Sequence, residues 1–318
     1  MAPLPVGVVG VGALGRHHAR HLAAADSAHL VGVHDLDPAR GREVAAAVGT
    51  RFFPDLDALL SVVEAVSIAV PTPAHGEVGL HALGRGRAVL MEKPLAATLD
   101  EADALVAEAA RRAVPLQVGH IERFNAAIRA AMPFLQAPRF IESDRLAPFQ
   151  PRGTDVAVVL DLMIHDLDLI LHLTGGSDAV DVRASGVAVL SSHLDMANAR
   201  VEFANGAVAN VTASRVARDK VRRLRIFQQN GYLSLDLRRG AGEFMRLREG
   251  WRGTAVTRLE DIVERVVLDA APADALALEL ESFLRAARGE AETVVTGAEG
   301  RAALALALRV TDAVQRFA

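Results

Sequence analysis

The stretch that most constrains this chain is Leu4–Val9 followed by Gly10-Val11-Gly12-Ala13-Leu14-Gly15. The first part is a short, continuous apolar run, the pattern of a parallel strand buried on both faces. A helical pattern follows from Ala13 to about Ala25, so the glycines fall on a strand-to-helix turn. Gly10 permits the tight turn, Gly12 lets the backbone approach a ligand, and Gly15 lets helix and strand pack closely. A second apolar run, Leu30–Val33, ends at His34-Asp35, and Asp35 lies 20 residues beyond Gly15.

Strand, glycine turn, helix and distant acid together read as a dinucleotide site. The helix N-terminus offers free N–H groups to a pyrophosphate, and Asp35 offers its carboxylate to the adenosine ribose. A carboxylate there repels a 2′-phosphate, so NAD is expected, with NADP second because Arg40 could contact that phosphate.

The rest of the N-terminal third keeps the same rhythm. Asp37-Pro38 opens a helix with Pro at its first turn. Ala65–Val70 and Ala88–Met91 read as strands around a helix over Ala74–Arg85. Thr98 caps the next helix, with Glu101 at the capping-box position, and Leu116–Gly119 is one more strand. Alternating strands and helices imply an α/β unit, a doubly wound Rossmann sheet over residues 1–120.

After Gly119 the rhythm changes. Helices are expected over Arg123–Gln136 and Leu162–Leu173. Strand-like runs follow at Val182–Leu190, Asn198–Phe203, Val208–Ser214, Arg222–Gln228 and Tyr232–Leu237. Asn205-Gly206 and Asn230-Gly231 separate neighbouring runs, which is a hairpin signal. Residues 121–318 are therefore expected to form an α+β domain with an open, mostly antiparallel sheet. It would end in helices at Ala273–Arg288 and Glu299–Phe317.

Composition excludes several classes. The 318 residues carry a net charge of −4 without a basic stripe, so no nucleic acid is expected. No apolar run is long enough to span a bilayer, and no secretory signal is read at the start, so the expected place is the cytoplasm. The absence of cysteine removes thiolate catalysis and Cys-ligated zinc.

Three further segments carry a resemblance: Pro71-Thr72-Pro73-Ala74-His75, Glu92-Lys93-Pro94, and Asp161-Leu162-Met163-Ile164-His165. With the glycine fingerprint they make the chain resemble, over its full length, the glucose–fructose oxidoreductase, inositol dehydrogenase and rhizopine-catabolism (Gfo/Idh/MocA) family. The resemblance implies hydride transfer between NAD(P) and a sugar or cyclitol carbon. It also implies a homo-oligomer, dimer or tetramer, through the second-domain sheet. A narrower resemblance lies in Val118–Asn125 and Asp161–Asp166, to the branch that oxidises the 3-hydroxyl of UDP-N-acetylglucosamine. That branch commonly has Pro where this chain has Ala126. An inositol or another free sugar is the alternative substrate, and a non-catalytic NAD-binding regulator the alternative class.

Removing hydride from a secondary alcohol needs a base for the hydroxyl proton and a donor for the developing alkoxide. His165 is the candidate base, because an imidazole with a pKa of about 6.5 exchanges protons near neutrality. Asp161, four residues earlier, would share its helix face and orient the ring or meet a substrate hydroxyl. In the family's pattern Lys93 contacts the substrate oxygen, the nicotinamide ribose, or both. The only tyrosine, Tyr232, lies in a hairpin, which disfavours a tyrosine base.

The expected cofactor residues are Gly10, Gly12, Ala13, Leu14, Gly15, Asp35, Pro71, Thr72, His75, Glu92 and Lys93. His120 and Arg123 could meet the sugar or cofactor, or simply pack. Arg145 and Arg152 could hold a pyrophosphate or be surface charges. His17, His18 and His21 read as a solvated helix face.

Overall fold

The computed structural model describes residues 2–150, 156–248, 258–268 and 273–315. In chain order the first part holds β1 (Leu4–Val9), α1 (Gly15–Ala24), β2 (Ala28–His34), α2 (Pro38–Val48), β3 (Arg51–Phe52) and α3 (Leu56–Leu60). It continues with β4 (Ala65–Ile68), α4 (His75–Gly84), β5 (Ala88–Glu92), α5 (Leu99–Arg112) and β6 (Leu116–Gly119). The middle holds α6 (Ala126–Ala131), β7 (Phe140–Leu146), α7 (Ile164–Leu173), β8 (Ala179–Val187) and β9 (Met196–Phe203). Then come β10 (Val208–Ser214), β11 (Val221–Gln228), β12 (Gly231–Asp236), β13 (Ala241–Leu247) and β14 (Val263–Leu268). Last are α8 (Ala275–Ala287) and α9 (Gly297–Gln315).

These elements form two compact units: Met1–Ile121 with Asp274–Leu304, and Glu122–Ala273 with Ala305–Ala318. The first contains a parallel sheet in the order β3-β2-β1-β4-β5-β6, the doubly wound α/β arrangement. Helix starts follow the sequence signals. Asp37 caps α2 by accepting the Ala39 and Arg40 N–H groups, and Thr98 with Glu101 forms a reciprocal capping box on α5.

The expected continuous domain over 121–318 is corrected here, because residues 274–304 belong to the first unit. The reason is burial: Leu280, Phe283 and Leu284 of α8 join one apolar cluster with Val6 and Val8 of β1 and Leu22 of α1. Gln117 of β6 adds a hydrogen bond from its amide to the Glu279 carbonyl (3.1 Å).

The second unit is built on an eight-stranded sheet, ordered β14-β13-β12-β11-β7-β10-β9-β8. Every pair is antiparallel except β7 with β10. Asn205-Gly206 joins β9 to β10, and Asn230-Gly231 joins β11 to β12, as the hairpin signals predict. Strands β7, β13 and β14 go beyond the expected runs. In β7 the buried positions are Ile141, Ser143 and Arg145, so its inner face is mostly polar and shows no apolar alternation.

The single helix expected over Arg123–Gln136 is instead a 3₁₀ turn (Ile121–Phe124), α6 and a second 3₁₀ turn (Met132–Phe134). Asn125 accepts the Ala127 N–H and starts a new helix, and Pro133 brings no N–H with which to continue it. Ahead of α7 the chain makes a π-helical turn over Val159–Met163. Among the described residues no helix is long and apolar enough to cross a membrane.

One carboxylate organises the connection between β8 and β9. Asp195, with 0% exposure, accepts the N–H groups of Val189, Leu190 and Ser191 on Oδ2, and Arg215 Nε on Oδ1 at 2.8 Å. Arg215 in turn donates to the Val156 carbonyl, and the Val158 N–H donates to the Leu194 carbonyl, both at 2.8 Å. The chain leading into the π-turn is thereby tied to this loop. Burial opposes the charge on Asp195, but Arg215 and the converging N–H groups hold its carboxyl well below the ordinary carboxylate range.

Asp195→Ala strands a buried guanidinium and is expected to cost about 3–5 kcal/mol in denaturant unfolding. Because the native carboxyl titrates below its unfolded value of about 3.9, its contribution is complete above that pH and fades as pH falls further. The stability gap between the native chain and Asp195→Asn should therefore hold down to about pH 4 and close only in stronger acid. A gap that closes between pH 7 and 5 would contradict this.

Candidate active site

The C-terminal ends of the parallel strands carry the expected cofactor residues. Gly10 follows β1 with a φ of 82°, and a Cβ there would stand 2.8 Å from Val70. Gly15 opens α1, and a Cβ on it would collide with the Gly10 carbonyl oxygen. At Gly12 a Cβ would meet nothing within 4 Å, so a side chain there would fill the space a ligand needs and not protein. Ala13 and Leu14 are exposed on the turn, next to first-turn N–H groups that lack partners within the helix. This cradle fits the pyrophosphate of a dinucleotide.

Asp35 ends up beside it, but not bare. Oδ2 accepts the Val11 N–H (2.8 Å) and Arg40 Nε (3.1 Å), and Oδ1 accepts the Asp37 N–H (2.8 Å) and Arg40 Nη2 (2.8 Å). Burial works to raise the Asp35 pKa, and these donors outweigh it, so the carboxyl is held below its ordinary value. All four acceptor positions are taken. Two belong to Arg40, whose side chain is 41% exposed and can be exchanged for ribose hydroxyls.

After β4, Pro71 is exposed and precedes a 3₁₀ turn, Thr72–Ala74. His75 is only 1% exposed, and its ring bridges two backbone carbonyls: Pro94 at Nδ1 (2.8 Å) and Val70 at Nε2 (3.0 Å). Burial pushes its pKa below the usual imidazole value and outweighs the two carbonyls, which favour the charged ring. His75, expected at the cofactor, has its ring nitrogens against the loops after β4 and β5.

Glu92 ends β5, and half-buried Lys93 follows it, with a cis bond to Pro94. Glu92, also expected at the cofactor, has protein partners on both oxygens. Its Oε1 meets His18 Nε2 at 2.9 Å, and its Oε2 accepts the Lys93 backbone N–H at 3.2 Å. His18 Nδ1 lies 2.7 Å from Ser67 Oγ on β4. His18 is 2% exposed, which overturns the solvated reading of this histidine, while His17 is exposed and half-buried His21 faces Asp274. His120, after β6, is also buried.

In the second unit, half-buried Asp161 lies in the π-turn and half-buried His165 in the first turn of α7. Neighbouring acids of that helix are pinned. Arg145, 3% exposed, donates through Nε to Asp166 (2.6 Å) and through Nη1 to Glu122 (2.8 Å), and Ser143 adds a bond to Asp166 (2.8 Å). Arg123 holds Asp168 with both arms at 2.7 and 2.8 Å. Burial disfavours the Arg145 charge, but Asp166 and Glu122 more than offset this and raise its pKa above the ordinary guanidinium value. Arg123 and Arg145, expected either as ligand contacts or as packing or surface charges, are both buried and hydrogen-bonded to carboxylates. Arg152 lies outside the described residues.

The chain matches two family models: "Oxidoreductase family, NAD-binding Rossmann fold" over residues 4–120, and "GFO/IDH/MocA C-terminal domain" over residues 117–234. It is 44% identical to the UDP-N-acetylglucosamine 3-dehydrogenase of Acidithiobacillus ferrooxidans, covering 100% of this chain and 99% of that protein. This chain belongs to the Gfo/Idh/MocA oxidoreductase family. A solved structure of that A. ferrooxidans enzyme superposes with a TM-score of 0.92, again over 100% and 99% of the two chains. Inositol 2-dehydrogenase of Rubrobacter xylanophilus is 38% identical over 52% of this chain and 50% of its own length. Membership in this family makes the cradle an NAD site.

The sequence held one signal that points to what was missed, the burial of His18. Gly15, His18, Ala19 and Leu22 form the buried i, i+3, i+4, i+7 face of α1, so a buried Gly15 commits His18 to the interior.

Asp35→Ser is expected to weaken NAD binding about tenfold, the loss of a hydrogen bond to a charged group. It also frees Arg40 for a 2′-phosphate, so NADP binding should strengthen. Calorimetric titration of both dinucleotides checks this, and an unchanged NAD-to-NADP ratio would refute it.

Proposed function

We propose that this protein is an NAD-dependent dehydrogenase that oxidises the 3-hydroxyl of UDP-N-acetylglucosamine to a 3-keto sugar. The observation that carries the reading is 44% identity over the full chain to an enzyme of that name. When bound in the glycine cradle, NAD supplies the hydride acceptor. The chain's own residues do the rest. His165 takes the hydroxyl proton, and Asp161 orients the imidazole or holds a neighbouring hydroxyl. Lys93 donates a hydrogen bond to the oxygen as negative charge builds on it.

The ion pairs Arg145–Asp166 and Arg123–Asp168 support this assignment indirectly. They fix the first turn of α7 at positions one and three residues after His165, which suits a base that must hold one orientation. We also propose a homo-oligomer through the outer face of the eight-stranded sheet. In support, Phe140, Phe227 and Tyr232 line up across β7, β11 and β12 with ring centroids 5.8 and 4.7 Å apart. Val180, Val187 and Val267 stand exposed on other strands of the sheet.

A second reading, oxidation of an inositol, is favoured by the matches to inositol dehydrogenases over about half of the chain. NADH formation on a panel of UDP-N-acetylglucosamine, UDP-glucose, free N-acetylglucosamine and myo-inositol separates the two. Turnover of the nucleotide sugar is expected, and turnover of inositol alone would overturn the reading. With the active sugar, Lys93→Ala and His165→Asn should each lower kcat by about 10²–10⁴-fold while the NAD dissociation constant moves little. Near-native turnover in either variant would remove that residue from the mechanism.

A further inference from the structure

We propose that Arg222, on the inner face of the eight-stranded sheet, is an anion-binding residue that takes the diphosphate of a nucleotide sugar. The identity of the ligand rests on the substrate reading above, and the anion site itself does not.

Strand β11 turns Arg222, Leu224 and Ile226 to one face, and the last two are buried. Their partners on β7 are Arg145, Ser143 and Ile141, so Arg222 lies directly opposite Arg145. Like charges directly opposite each other destabilise a sheet. Arg145 is compensated: three of its nitrogens meet Asp166 and Glu122 at 2.6 to 3.1 Å, and its side chain is buried. Arg222 is held less firmly. Among the described residues its Nη1 meets Glu122 Oε1 at 3.2 Å, on the oxygen that Arg145 already takes. One of its five N–H groups is used there, and the side chain is 36% exposed.

The surroundings add charge of the same sign. Strands β11 and β12 pair Arg223 with Asp236, and the Leu237 N–H donates to the Arg222 carbonyl at 2.9 Å. Residues 218–223 and 236–239 therefore lie side by side. They carry Arg218, Lys220, Arg222, Arg223, Arg238 and Arg239 against Asp219 and Asp236, in a chain whose net charge is −4. Asp236 serves its own turn, accepting the N–H groups of Arg238 and Arg239. Burial and the Arg145 charge press the Arg222 pKa below the ordinary guanidinium value, and Glu122 and Asp166 do not make up the difference. An anion beside Arg222 would offset the like-charge contact and occupy the unused donors. A guanidinium fork grips two phosphate oxygens at once, and the cationic rim draws a diphosphate toward it. The contacts that begin at Arg222 run through Glu122 and Arg145 to Asp166, which follows the candidate base His165 in sequence.

The test measures UDP binding to the full chain by calorimetry in the native protein, Arg222→Gln, Arg222→Lys and Arg223→Gln. Arg222→Gln keeps a donor for Glu122 and removes the charge, and it should bind UDP about tenfold more weakly or worse. Arg222→Lys keeps the charge without the fork and should fall between the two. Arg223 is exposed and projects to the opposite face, so Arg223→Gln should stay within about twofold of native. With UDP-N-acetylglucosamine as substrate, Arg222→Gln should raise KM about tenfold and leave kcat and the NAD dissociation constant within about twofold.

A native chain that does not bind UDP, or an Arg222→Gln that binds it as well as native, overturns the proposal. An equal loss in Arg223→Gln would mean a diffuse field and no site, and the proposal fails. If Arg222→Gln does not fold, Arg222→Lys decides: a loss of about threefold supports the site, and native affinity removes it. If UDP binding depends on Arg222 but no nucleotide sugar is turned over, the anion site stands and the substrate reading falls. If Arg222→Gln turns over the nucleotide sugar with a native KM, the substrate reading stands and the anion site falls.

Discussion

The close approach of α1 to the turn after β1 governs much of what lies around it. A Cβ at Gly15 would collide with the Gly10 carbonyl oxygen, so the helix can begin there only on glycine. Once its first residue is pressed against the strand, the helical period decides the rest: His18, Ala19 and Leu22 must also face the sheet. His18 arrives between β4 and the end of β5, where a polar ring needs partners, and Ser67 and Glu92 supply them. The constraint that opens a cofactor cradle on one side of the turn thus places a buried imidazole on the other.

The second unit meets the same requirement with arginine. Glu122, Asp166 and Asp168 are buried carboxylates, and each is neutralised by a guanidinium in hydrogen-bonded geometry. Such pairs add little net stability over apolar packing, but losing one partner is severe. Their gain here is directional. A fork that grips both oxygens of Asp168, and another that joins Asp166 to Glu122, leave α7 few ways to rotate.

Legibility in the sequence followed from how each residue is used. The parallel strands were readable because both faces are buried and the runs are continuously apolar, and the turn glycines because only glycine fits there. Strand β7 was not, because its inward positions include Ser143 and Arg145. The carboxylate partners of Arg123 and Arg145 were hidden for a related reason. Composition carries charge but not partner, and Asp166 and Asp168 lie far from them along the chain. The fate of residues 274–304 was equally hidden, since an amphipathic helix such as α8 does not state which sheet it covers. Histidine at 18 was legible in principle, through the spacing it shares with Gly15.

Asp35, just after β2, and Glu92, at the end of β5, show how one chemical group is put to opposite uses in the same sheet. Both are carboxylates held ionised against burial by hydrogen-bond donors. The difference lies in the partner. Arg40 is substantially exposed, so water can replace its contacts at modest cost and a ribose can displace it. His18 is enclosed, and no solvent stands ready to take its place on Glu92. An exchangeable partner makes a carboxylate a binding group, because ligand hydroxyls compete with a contact worth little. A partner that cannot leave makes it a fixed part of the fold, as His18 and the Lys93 backbone N–H do for Glu92.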